Sequence, residues 1–90
     1  MYIESLKFFC DLVDSESFTV AAQINRVTQS AVSQRLSALE RVFKSLLVEP
    51  SQRQFHLTRE GQVVYDHSKQ ILQICASLEG RLQELRMCHG

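Results

Sequence analysis

Apolar residues recur at helical spacing in four stretches of this chain. Ile3, Leu6, Phe9, Cys10 and Val13 form the first stripe, with acidic residues on the opposite face. Phe18, Ala21, Ala22 and Ile24 form the second, and Val32, Leu36, Leu39 and Phe43, at steps of four, three and four, the third. After Phe43 the rhythm changes. Leu46, Leu47 and Val48 are a short apolar run, residues 50–54 (PSQRQ) are turn-like, and Phe55-His56-Leu57 alternates, which predicts a small β-hairpin. The fourth helical pattern runs from Thr58 to about Arg86, roughly 40 Å at 1.5 Å rise per residue. Ser17, Thr28 and Thr58 are suited to cap the helices that follow them, and Glu60 suits the positive end of the last one. Only Gly61, Gly80, Gly90 and Pro50 interrupt these patterns, so a mainly α domain is expected.

The second and third stripes are separated by Asn25-Arg26-Val27-Thr28. Asn tolerates the left-handed backbone of a tight turn, and Ala21 and Ala22 let two helices approach closely. This spacing predicts a helix-turn-helix. The outward face of its second helix carries Gln29, Ser30, Ser33, Gln34 and Ser37, flanked by Arg35 and Arg41, and no acid occurs between Arg26 and Glu40. An ordinary solvated face mixes Glu with Lys. Ser and Gln instead offer neutral donors and acceptors for base edges and phosphates, Gln pairing in bidentate fashion with adenine, while the N–H groups beside Thr28 suit a phosphate. The alternative is a plain serine-rich solvated face.

In the last helix Val64, Ile71, Cys75, Leu78, Leu82 and Leu85 share one stripe, and from Ile71 onward the steps of four, three, four and three make a heptad seam. So small a domain cannot cover that stripe along its whole length. A second copy is the simplest cover; folding back on its own domain is the other. Gly80 weakens the helix by about 1 kcal/mol yet suits a close helix pair.

Residues 17–22 (SFTVAA), 27–33 (VTQSAVS), Leu39-Glu40 and 57–61 (LTREG) together resemble the N-terminal domain of LysR-type bacterial transcriptional regulators, without gaps from about Ile3 to about Leu85. The resemblance implies a winged helix-turn-helix over residues 1–58 and, over 59–90, a linker helix that pairs two subunits antiparallel. It implies double-stranded DNA as partner, with Gln29, Ser30, Ser33 and Gln34 nearest the bases, Thr28, Arg35 and Lys44 on the backbone and Arg53 in the wing. Departures from the family pattern are Ser30 in place of the usual proline, Gln34 where arginine is frequent, Lys44 in place of a glycine, and Val48-Glu49-Pro50 before the wing. Regulators of this family continue into a larger effector-binding domain, so the chain is expected to be a fragment or a short form without an effector site.

Ninety residues make one small domain of modest stability, helped by a partner subunit. The formal net charge is zero, but it is unevenly distributed. Residues 1–22 hold Lys7 against Glu4, Asp11, Asp14 and Glu16; residues 23–60 hold Arg26, Arg35, Arg41, Lys44, Arg53 and Arg59 against Glu40, Glu49 and Glu60. The positive charge therefore coincides with the helix-turn-helix and wing, and DNA affinity is expected to be salt-dependent. Cys10, Cys75 and Cys88 suit neither a disulfide framework nor a zinc site, and a reducing cytoplasm is expected. No catalytic set, phosphate loop, metal ligand set, cofactor motif or membrane span is legible. Near-neutral charge leaves one competing reading, a helical protein-interaction module dimerised through its last helix and not binding DNA.

Overall fold

The first helix supplies the core and the remaining elements pack around it. The structure, a computed structural model, describes residues 3–50 and 54–88. Helix α1 (Ile3–Ser15) buries Leu6, Phe8, Phe9, Cys10 and Leu12. The single stripe read from spacing is thus too narrow: Phe8 and Leu12 are fully inside while Ile3 is exposed. The reason is that α1 is covered on two sides, by α2 (Phe18–Asn25) and by α4 (Arg59–Cys88). Ala21 and Ala22 of α2 and Val32, Leu36 and Leu39 of α3 (Gln29–Phe43) complete the core with Leu47 and Val48.

The three expected caps form. Ser17 accepts from the N–H of Val20 (3.1 Å), Thr28 from Ala31 (3.1 Å) and Thr58 from Gly61 (2.9 Å). The left-handed residue of the turn between α2 and α3 is not Asn25 but Arg26, at φ 56°. Asn25 stays helical, its side-chain amide donating back to the carbonyl of Ala21 (2.9 Å). Lys44 ends α3 in the same way, at φ 54°, its N–H bonded to Arg41 and that of Ser45 to Glu40. A glycine-type turn is therefore kept with lysine in place. Left-handed backbone costs a side-chain-bearing residue about 1 kcal/mol. Lys44→Gly should raise the melting temperature by roughly 4–8 °C for a domain this size, measured by thermal circular dichroism; no rise would mean that the turn is unstrained.

The expected hairpin is present as one antiparallel bridge, Val48 to Leu57, flanked by the bonds Glu49 N–H to His56 (2.8 Å) and Thr58 N–H to Leu47 (3.1 Å). Phe55 packs on Phe18 of α2, ring centroids 6.4 Å apart. Of the wing tip, Ser51, Gln52 and Arg53 lie outside the described residues, and Gln54 is exposed.

Helix α4 makes the molecule long, 55 × 25 × 19 Å, with a radius of gyration of 15.4 Å against about 12 Å for a compact chain of this length. Its stripe divides in two. Val64, at the start of the stripe, packs on the chain's own core, and Ile71 and Cys75 are half-buried. Leu78, Leu82 and Leu85 are 59%, 45% and 58% exposed, and nothing lies within 4 Å of where a Cβ on Gly80 would be. Nearer the core, Tyr65 Oη donates to Asp14 Oδ1 and Lys69 Nζ bonds Asp14 Oδ2 at 3.1 Å, tying α4 to the end of α1. The Tyr65 hydroxyl, then Lys69, hold the Asp14 carboxyl below its usual range, and Asp14 in turn pushes Tyr65 up. The tie is therefore complete above the ordinary carboxylate range and weakens as acid protonates Asp14. It also weakens when strong alkali ionises Tyr65. Burial pushes the Cys10 thiol up, which keeps it protonated and unreactive.

Candidate nucleic-acid interface

An exposed polar strip is built by α3 and held by the caps at its two ends. At 100° per residue, Ser30, Ser33, Gln34, Ser37 and Arg41 fall together on the side away from Val32, Leu36 and Leu39, and all five are exposed. Gln29 lies at the edge of this strip, toward α2, where its Nε2 donates to Thr19 Oγ1. Thr28 and Lys44 are exposed at the two ends of the helix. The backbone N–H groups of the first turn that have no carbonyl partner within the helix point out past Thr28. The cap sets this first turn, so serine at position 30 serves without the stiffness of a proline.

Arg35 stands apart from the strip. It lies on the opposite flank of α3, with its guanidinium carbon 6.0 Å from the centre of the Phe8 ring. The structure thus brings together Thr28, Gln29, Ser30, Ser33, Gln34 and Lys44 on one side, and leaves Arg35 on another.

Three contributors were not evident from spacing. Glu40, the acid that ends the acid-free run, turns toward the wing. Its Oε2 accepts from the N–H of Leu47 (2.8 Å) and Val48 (3.5 Å). This removes a negative charge from the strip and fixes the wing to the helix. Glu40→Ala leaves two N–H groups at buried residues without their acceptor and should cost about 2 kcal/mol, with Glu40→Gln recovering part of it. Urea denaturation reads the difference, and an unchanged midpoint in Glu40→Ala would remove Glu40 from this role. The second contributor is Gly61, whose absent side chain admits the carbonyl of Leu47. The third is Thr19. Clues were present in the residues, since an acid at a helix end beside a strand and a glycine just after a cap each invite a specific contact, but neither discloses its partner.

A strip of this shape fits a major groove about 12 Å wide, which admits one α-helix. Among the described residues no three His, Cys, Asp or Glu side chains converge as metal ligands, and no helix is long and apolar enough to cross a membrane.

Residues 3–62 match the family described as bacterial regulatory helix-turn-helix protein, lysR family. The chain is 35% identical over 71 residues to the probable HTH-type transcriptional regulator LtrA of Klebsiella pneumoniae, covering 79% of this chain and 23% of that protein. It is 33% identical over 72 residues to the HTH-type transcriptional regulator CysL of Bacillus subtilis, covering 80% and 24%. Among solved structures, the BenM DNA-binding domain in complex with benA site 1 DNA superposes with a TM-score of 0.90 at 25% identity, covering 94% of this chain and 96% of that one. The CbnR DNA-binding domain in its DNA complex superposes at 0.85 and 25%, covering 94% and 98%. The chain spans about a quarter of the length of the curated relatives it matches.

Proposed function

The chain belongs to the LysR family of bacterial helix-turn-helix regulators, and from that membership we propose that it reads a specific double-stranded DNA site as a homodimer in the cytoplasm. The observation that carries this is the exposed, acid-free strip of Ser and Gln on α3, with Glu40 turned away from it. Gln29, Ser30, Ser33 and Gln34 face the bases, and Thr28 and Lys44 hold phosphates at the two ends of the helix. Arg53 of the wing enters the minor groove or holds a phosphate there. Arg35, over Phe8, adds positive charge to the flank rather than a groove contact. The uncovered second half of the α4 stripe, Leu78, Leu82 and Leu85, with Cys75 and Ile71 beside it, pairs two chains. Residues 1–58 then form the reading head and residues 59–90 the coupling helix. Two coupled heads read a site of two-fold character.

The test is selection of random duplex DNA at two salt concentrations. An enriched motif with two-fold symmetry, lost as salt rises, is the expected result. Arg53→Ala should weaken all sequences about equally and reduce the salt slope by about one; a variant with both unchanged would take Arg53 out of the interface. The zero net charge favours the competing reading, a paired interaction module, and a folded dimer that enriches nothing would establish it over DNA reading.

A further inference from the structure

Gln29 is exposed, yet its side chain is not free. Its amide Nε2 donates to the hydroxyl of Thr19, ten residues earlier in the first part of α2 (2.5 Å), in a bond that spans the turn of the helix-turn-helix. A glutamine amide has two N–H donors and one carbonyl oxygen. With one N–H on Thr19, the other N–H and the oxygen remain on the same plane, the complement of the adenine edge with its N7 acceptor and N6 donor. An untethered glutamine loses rotamer freedom on binding, whereas a tethered one meets the base already ordered.

We propose that Thr19 is a positioning residue that sets the base preference of Gln29, favouring adenine at one position of each half-site. This rests on the DNA-reading assignment above. Thr19 acts through Gln29 and not by touching the base itself.

The experiment uses the whole chain and compares Thr19→Val, which keeps shape and branching but removes the hydroxyl, with Thr19→Ser, which keeps the hydroxyl. Each is carried through selection of random duplex DNA, and each is repeated in a Gln29→Ala background. Thr19→Val should lower discrimination at one base pair of each half-site by about fivefold or more, with melting temperature and salt slope unchanged. Thr19→Ser should restore the discrimination. In the Gln29→Ala background Thr19→Val should change affinity less than about twofold, because coupled residues do not add. A selected motif identical for wild type and Thr19→Val would overturn the role of Thr19, as would additive losses in the double variant, which would mark a direct phosphate contact. A wild-type chain that enriches no motif would instead overturn the DNA-reading assignment, and this role with it.

Discussion

Gly61→Ala is expected to lower the melting temperature by roughly 12 °C or more, although alanine is the better helix former. Gly61 is buried in the first turn of α4, and a Cβ there would overlap the backbone carbonyl oxygen of Leu47 and stand 2.9 Å from Leu57 Cδ2. The obstructing atom is backbone and cannot rotate away. Leu47 is also held by Glu40 at its N–H and by Thr58 at its carbonyl, so moving it disturbs the wing and both adjoining helices. Overpacking against such an atom costs about 3 kcal/mol, a large part of the total stability of roughly 5–13 kcal/mol for a domain this size. Gly80 is the internal control. It lies in the same helix, and beyond that helix's own backbone no described residue comes within 4 Å of its Cβ position, so Gly80→Ala should stabilise the isolated subunit by about 1 kcal/mol. Thermal melts of the two variants should move in opposite directions. A Gly61→Ala protein as stable as wild type would mean that the wing and α4 can separate.

Replacing Leu78 and Leu82 together by aspartate should convert the proposed homodimer to a monomer that remains folded. Both side chains are exposed, so neither supports the subunit's own core. In a paired state the change removes four buried leucines, each contributing about 1.5 kcal/mol or more. Pairing should therefore weaken at least about a thousandfold. Sedimentation equilibrium reads the mass and circular dichroism the fold. The monomer should also lose its preference for a two-fold site while retaining weak, salt-sensitive binding to any duplex. A double variant that stays dimeric would place the pairing surface elsewhere.

The four helices and their caps were legible because each rests on local physics: a repeat of 3.6, a hydroxyl before a first turn, and the shortage of glycine and proline. The exposed Ser and Gln face of α3 was legible for the same reason, since the faces of a helix follow from residue spacing. Spacing failed where a residue serves two neighbours or a distant one. Phe8 and Leu12 fall off the first stripe yet are buried, because the side of α1 away from α4 is covered too, Phe8 lying beneath Arg35 of α3. Val64 shares the α4 stripe in sequence and packs against the chain's own core. Glu40 reads as one more surface acid, and only the folded wing supplies the two N–H groups that turn it inward. The left-handed turn residue was misplaced by one, onto Asn25, because the side-chain bond that keeps Asn25 helical reaches back to Ala21. The Phe8 ring beneath Arg35 lies too far away in sequence for spacing to reveal.

The bare end of α4 bears on how the protein would respond to its own abundance. Leu78, Leu82 and Leu85 have no cover among the described residues, so in the proposed dimer the stability of the subunit and its capacity to occupy a two-fold site would both depend on meeting a second copy, and both would rise with concentration by mass action. Below the pairing constant the population of paired readers falls as the square of the total protein. In the proposed dimer a modest change in synthesis or degradation would then be amplified into a larger change in site occupancy, a steepness set by three leucines in the second half of α4.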